Sequence, residues 1–285
     1  MWNNPIIWRE MRTWAYGRKT MLVRLAYLVL FGLATLGVYR AAAWVPEVTA
    51  AGVAAPLVPL LLLSLILVNA QSVTSLTTER DLRALDLLLV TDLTAKEIVY
   101  GKLGGVFYNA KEMVALPVGL CIYLAVVGVM SVENLVFLLL GLAVLYGFVA
   151  MLGIHAGMSY GVSRWAIATS LGTVFFLFFG VATCIWMMVV FSGSFHAQFG
   201  PFFTFMIGGG IGLYVALGVR NPSAAIALAS FACPLATFYA ISSFMLGFHI
   251  AAMLSVVAAY GFATAAMLIP AIDEFDVVTG RTTAE

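Results

Sequence analysis

The chain has 285 residues, 63% of them hydrophobic and 9% charged, and a formal net charge of +1. A soluble domain carries about 25% charged residues, so this composition excludes a soluble globular fold, and the near-neutral charge excludes nucleic acid and other polyanions as general partners. At about 20 apolar residues per helix, the hydrophobic stretches allow roughly six to eight membrane crossings and leave almost nothing over. Residues 1–285 therefore read as one all-α polytopic membrane domain. Cys121, Cys184 and Cys233 lie in apolar segments without ligand spacing and read as small core residues.

Residues 1–20 alternate aromatics (Trp2, Trp8, Trp14, Tyr16) with bases (Arg9, Arg12, Arg18, Lys19). With Asn4 as an N-cap and Pro5 at the first helical position, this stretch predicts an amphipathic helix at headgroup depth. It has the form of a topogenic leader as well, and it lacks a signal-peptide pattern, so the first hydrophobic helix is expected to be retained.

The first crossing is expected at about residues 21–39, followed by a loop at 40–53 containing Pro46 and Glu47. The second runs from about Ala54 to Ser75, and Asn69, Gln71, Ser72 and Thr74 make its later part polar. Polar side chains at membrane depth face protein or water, so these four are candidates to line a pathway or to bond between helices.

Thr77 to Leu103 is the longest polar island in the chain, with nine charged residues between Glu79 and Lys102. Its interior holds an apolar ridge, Leu85 and Leu87 to Val90, between the charged run Glu79, Arg80, Asp81, Arg83, Asp86 and the group Asp92, Lys96, Glu97. Two faces of this kind suit a docking helix, whereas the plainer reading is a short amphipathic hairpin joining two crossings. Glu79 and Arg83 have the i, i+4 spacing of a helical ion pair, and Thr94-Ala95-Lys96-Glu97 has the form of a capping box. The helix beginning there is expected to run straight into the third crossing.

That crossing spans about residues 104–130, with Lys111 and Glu112 near its inner end and a kink at Pro117. A turn at 131–134 precedes the fourth, about 135–158. His155, near its inner end beside glycine and alanine, reads as a hydrogen-bonded packing residue more readily than as a proton relay. The fifth covers about 165–190. Phe202 to Val219, with Gly208, Gly209, Gly210 and Gly212, and Ala224 to Leu246 form either two full crossings or a re-entrant pair. The last crossing, about 248–272, precedes an acidic tail at 273–285.

If both termini are cytoplasmic, all basic residues except Arg40 and Arg220 fall on the cytoplasmic side, the island included. Arg220 by itself favours eight crossings. No phosphate-binding loop, HExxH, GxSxG or metal-spaced histidine set occurs, so catalysis by this chain, and a metal or cofactor bound to it, are not expected.

The opening Asn4-Pro5-Ile6-Ile7-Trp8-Arg9-Glu10-Met11-Arg12 resembles that of permease subunits of type-2 ATP-binding-cassette (ABC) exporters. The island is similar to that family's signature between helices two and three, through Thr78-Glu79-Arg80, Ala84-Leu85-Asp86-Leu87-Leu88-Leu89-Val90-Thr91, Leu93-Thr94 and Glu97-Ile98-Val99-Tyr100-Gly101-Lys102. It departs at Arg83-Ala84, where the family tends to have Gly-Thr. The likeness covers about the first 130 residues by motif and the remainder by helix pattern.

The resemblance implies a six-helix permease half in the cell inner (cytoplasmic) membrane, with an interfacial elbow helix (Pro5, Trp8, Arg9, Glu10, Arg12) and a re-entrant hairpin before the last helix. It implies coupling to a separate ABC ATPase subunit through Glu79, Arg80, Arg83, Asp86, Leu87, Leu88, Leu89, Glu97 and Lys102. ATP and magnesium would bind that partner. A second permease copy or a homologous permease completes the transporter, with membrane lipid around it. Two other classes remain: a non-transporting scaffold or assembly subunit, and an intramembrane lipid-modifying enzyme using Asn69, Gln71, Glu112 and His155.

Overall fold

The computed structural model describes residues 5–12, 17–44, 50–84, 93–220 and 222–273, and among these every regular element is a helix. A short α1 (Pro5–Arg12) is followed by α2 (Gly17–Trp44), α3 (Ala50–Asp81), α4 (Ala95–Asn109), α5 (Lys111–Val126) and α6 (Val132–Ser159). Then come α7 (Ser163–Val190), α8 (Phe195–Leu217), α9 (Ala224–Met245) and α10 (His249–Asp273). Seven helices are long and apolar enough to cross a membrane, and the bent pair α4–α5 makes an eighth.

Helix α6 is the axis of the bundle, with α3, α7 and α10 packed around it. From Phe148 to Gly157 every residue of α6 is buried. Gly153 and Gly157, four apart, let α3 approach closely: a Cβ on Gly153 would lie 2.6 Å from Ser72 Cβ and 2.7 Å from the Val73 nitrogen. The seam is then stitched by polar groups that membrane helices must pair internally. Asn69 Nδ2 donates to the Val149 carbonyl at 2.8 Å, Ser72 Oγ donates to the Ala150 carbonyl, and Ser170 Oγ of α7 donates to Asn69 Oδ1 at 3.0 Å.

A second polar node sits around Pro117 of α5. Proline has no N–H for the carbonyl four residues back, which is that of Met113. That carbonyl accepts from Tyr27 of α2 at 3.0 Å and from Ser64 of α3 at 2.5 Å, and Ser64 Oγ is 2.7 Å from the hydroxyl of Tyr146 on α6. With its orphan carbonyl satisfied, Pro117 stays within a helix. A separate, sharp bend lies at Ala110, where α4 and α5 meet at 59°. Arg24 of α2 donates to the adjacent Asn109 carbonyl at 2.8 Å, an intrusion into the helical ladder of the kind that kinks helices. The helix beginning at the capping box is therefore not continuous through the third crossing.

Four other expectations are corrected. Helix α3 runs on to Asp81, so the first residues of the polar island are its last turn. The loop expected at residues 40–53 is shortened from both sides by α2 and α3. Helix α6 begins at Val132, with Ser131 as its N-cap accepting from the Asn134 N–H at 3.2 Å. The segment around Gly208 to Gly210 belongs to α8, which spans 23 residues, and α9 spans 22. Both have the length of full crossings, one of the two alternatives open in the sequence, whereas the re-entrant hairpin implied by the resemblance is the shorter form these lengths disfavour. Glycine serves side-chain packing here: a Cβ on Gly209 would collide with the Phe176 ring of α7, and one on Gly210 with the Phe231 ring of α9. Each of α7 and α8 contains one π-helical turn beside this contact, at Phe176–Gly180 and Thr204–Gly208.

The ends of the helices fix the topology. Arg220, in the α8–α9 link, donates to the Met158 carbonyl at 3.0 Å. Tyr160 donates to the Ala216 carbonyl at 2.7 Å, and His155 Nε2 lies 2.9 Å from the Leu217 carbonyl. The last carbonyls of α6 and α8 are thus satisfied by side chains at the same end of the bundle. Ile6 of α1, Ile98 and Val99 of α4 and Ile272 of α10 pack together there. Arg220 therefore joins the other basic residues at this basic end, and the chain alternates between the two ends eight times.

Candidate coupling junction

Three segments that are far apart in sequence meet at the basic end: α1, the last turn of α3 and the first half of α4. Gly104 and Gly105 of α4 make the meeting possible, since a Cβ on Gly105 would lie 2.7 Å from Glu10 Cβ and one on Gly104 lies 3.3 Å from Ile7. Amphipathic α1 turns Ile6 and Glu10 inward and leaves Trp8 half-exposed, as a helix between two media should.

The buried charges pair with one another. Lys102 Nζ, on a side chain only 2% exposed, is 2.6 Å from Glu10 Oε1 and 2.7 Å from Glu79 Oε1. Arg9 bridges the same two carboxylates, on Glu79 and, at 3.4 Å, on Glu10. Two cations face two carboxylates, so the group is neutral while each member keeps a partner, which burial of charge demands. Glu79 Oε2 is buried and without a partner among the described residues. Lys102 also reaches the Ser75 carbonyl at 3.4 Å, which ties α4 directly to the α3 backbone.

The next residue, Arg80, fastens α3 to the end of α6. It donates to the Gly157 carbonyl at 3.0 Å and to that of Tyr160. Ser163 Oγ, at the start of α7, donates to Asp81 Oδ1 at 2.6 Å. Neighbouring residues of one helix turn thus hold different elements: Glu79 holds α1 and α4, while Arg80 and Asp81 hold α6 and α7.

The Glu79–Arg83 helical pair does not form. Helix α3 ends at Asp81, and Arg83 has a φ of 56°, a left-handed conformation outside the helix. Glu79 is left to pair with Arg9 and Lys102. The capping box does form: Thr94 Oγ1 accepts from the Glu97 N–H at 3.3 Å, and Glu97 Oε2 accepts from the Thr94 N–H at 2.9 Å. Residues 85–92 lie outside the described residues, so the ridge with Asp86, Leu87, Leu88 and Leu89 has no structural account, and neither does the Arg12 side chain. What the structure places is the frame on either side of that ridge.

The four polar candidates of α3 do not converge. Asn69 and Ser72 are fully buried in the α6 seam, Thr74 bonds back to the Ala70 carbonyl at 2.8 Å, and Gln71 carries a buried Nε2 without a partner among the described residues. Among the described residues no three His, Cys, Asp or Glu side chains group to hold a metal ion. Sequence reading missed the Tyr27–Ser64–Tyr146 node and the Gly153–Gly157 seam. Pro117 with the carbonyl at position 113, and the spacing Gly-xxx-Gly, were the available signals. Comparison with family models, with curated proteins and with solved structures gave no match.

Proposed function

We propose that this chain is the membrane permease subunit of an ABC transporter of the exporter type, forming the translocation path and coupled to ATP hydrolysis by a separate ATPase subunit. The observation that carries this reading is the ion cluster of Arg9, Glu10, Glu79 and Lys102. Charged residues from the opening and from both ends of the island, the segments on which the family resemblance rests, are the ones that meet there. A loop whose two ends are clamped to one buried cluster transmits a push on the loop to α1, α3 and α4 together. Arg83 adds to it: its left-handed backbone is the conformation glycine favours, and the family tends to have glycine there.

In this reading the partner ATPase receives Leu87, Leu88 and Leu89 in an apolar groove, with Arg80, Arg83, Asp86 and Glu97 at the rim. Movement of the ATPase subunits displaces the 82–94 link, and the 59° bend at Ala110 converts displacement of α4 into a change of tilt of α5. In this reading the basic residues gathered at the junction end face the cytoplasm, which supports an ATPase-facing junction in a cell inner membrane. A second copy or a homologous permease supplies the other wall of the path.

A second reading is a non-transporting membrane scaffold. It is favoured by α8 and α9, both of crossing length, where the family often has a re-entrant hairpin. Co-expression with ABC ATPase subunits that lack membrane segments separates the two. The permease reading predicts a stable complex with stimulated ATP hydrolysis, both lost in Leu88→Asp. Complex formation that survives Leu88→Asp, with hydrolysis indifferent to this chain, contradicts it and favours the scaffold.

A further inference from the structure

Helix α2 is the peripheral member of the bundle, with 11% of its span buried. Toward the basic end it is tied to α5 by Arg24 and Tyr27. Beyond the Tyr27–Met113 bond the two helices part, and a cleft of about 340 Å³ opens between them, walled by Phe31, Val38 and Tyr39 on one side and Leu116, Gly119 and Tyr123 on the other. Thr35 also faces it, with its hydroxyl turned back on the Phe31 carbonyl at 2.8 Å, so the walls stay apolar. The cleft's lining nearest the basic end, Phe31 and Ala115, lies about one turn or less beyond the Tyr27–Met113 bond. Its mouth lies at the end of the bundle opposite the ion cluster, where Tyr39 and Tyr123 are 60% and 49% exposed, as in an aromatic belt.

One charge at that mouth has no topological explanation. With Arg220 placed at the basic end, Arg40 is the lone basic side chain at the opposite end among the described residues, and it is exposed with no partner among them. It follows Tyr39 directly in the chain. A basic residue that breaks the charge bias of a membrane protein beside an apolar, laterally open slot matches a ligand with an alkyl chain and an anionic head.

We infer that the α2–α5 cleft is a binding site for an anionic membrane phospholipid of the leaflet opposite the ion cluster. One acyl chain lies between Phe31 and Leu116 down to the Tyr27–Met113 bond, and the phosphate meets Arg40 between the two tyrosines. This holds whether or not the chain is a permease.

The test is native mass spectrometry of the full chain purified in detergent and supplied with phosphatidylglycerol or phosphatidylcholine of identical acyl chains. The wild type is expected to retain phosphatidylglycerol preferentially. Arg40→Gln lowers that retention about fivefold, toward the phosphatidylcholine level, the factor expected for one basic residue at an anionic headgroup. Gly119→Phe fills the slot and removes both lipids. A Cβ at Gly119 meets nothing within 4 Å, so the variant is expected to fold, and unchanged helical circular dichroism checks this. Equal retention of the two lipids by the wild type overturns the inference, as does undiminished retention in Gly119→Phe. So does a lipid-free dimer of the wild type that Gly119→Phe dissociates, since a second copy then covers the cleft.

Discussion

The basic end of this bundle and the packing of α7, α8 and α9 are held by different physics. At the basic end, charges and hydrogen bonds join segments up to 99 residues apart in sequence, as between Glu10 and Asn109. Where α7, α8 and α9 meet, deeper in the bundle, contact is made by rings against glycines, Phe176 on Gly209 and Phe231 on Gly210, and toward the opposite end exposed aromatics Phe195, Phe199 and Phe203 stack along one outward stripe of α8. Paired buried charges fix one geometry, because any displacement leaves an ion without a partner; ring packing tolerates displacement at small cost. On the proposed function, the difference suits a molecule that receives force at the basic end and yields within the α7–α9 packing.

Breaking the rigid end gives the largest effect. Lys102→Met leaves Glu10 and Glu79 facing each other with Arg9 alone to compensate, and should destabilise the fold by about 3–5 kcal/mol, the range for breaking a buried ion pair. Thermal unfolding of the detergent-solubilised protein measures it, and the same variant with Glu10→Gln and Glu79→Gln should recover most of the loss. The ring-packed region should answer less. Gly209→Ala puts a methyl where the tip of the Phe176 ring lies, and because the ring can swing the expected loss is about 1 kcal/mol. A loss as large as that of Lys102→Met would erase the contrast. The smallest expected effect has the opposite sign. Arg83→Gly removes the left-handed penalty and gives back part of it as backbone entropy, a gain of about 0.5 kcal/mol in the same assay.

Much of this architecture was written in local pattern. The apolar spans, the helix at Pro5–Arg12 and the Thr94–Glu97 capping box each depend on residues within a few turns of one another, and each forms in the stretch where local reasoning expects it, with the ends of several spans shifted. The ion cluster was not legible, although all four of its members were singled out: nothing in the sequence says that Glu79 bonds 70 residues back to Arg9 rather than four residues on to Arg83. The local rule failed there because α3 ends between the two. The 59° bend at Ala110 had no local marker in the sequence: Arg24 reaches the Asn109 carbonyl beside it from another helix, while the carbonyl freed by Pro117 is capped by Tyr27 and Ser64. Glycine at 208–210 suggested broken backbone where it serves ring packing. The ridge of the island remains a matter of sequence alone.

The central claim is that the buried cluster carries force from the loop to the membrane helices, and it is tested most directly by removing the cluster without leaving a bare charge. The neutral triple variant Glu10→Gln, Glu79→Gln, Lys102→Met is assembled with the partner ATPase, and ATP hydrolysis by the complex is compared with that of the wild type. The account predicts that the complex still forms, because the 85–90 ridge is untouched, while stimulation of hydrolysis falls at least tenfold. Wild-type stimulation in a folded, assembled triple variant would contradict it.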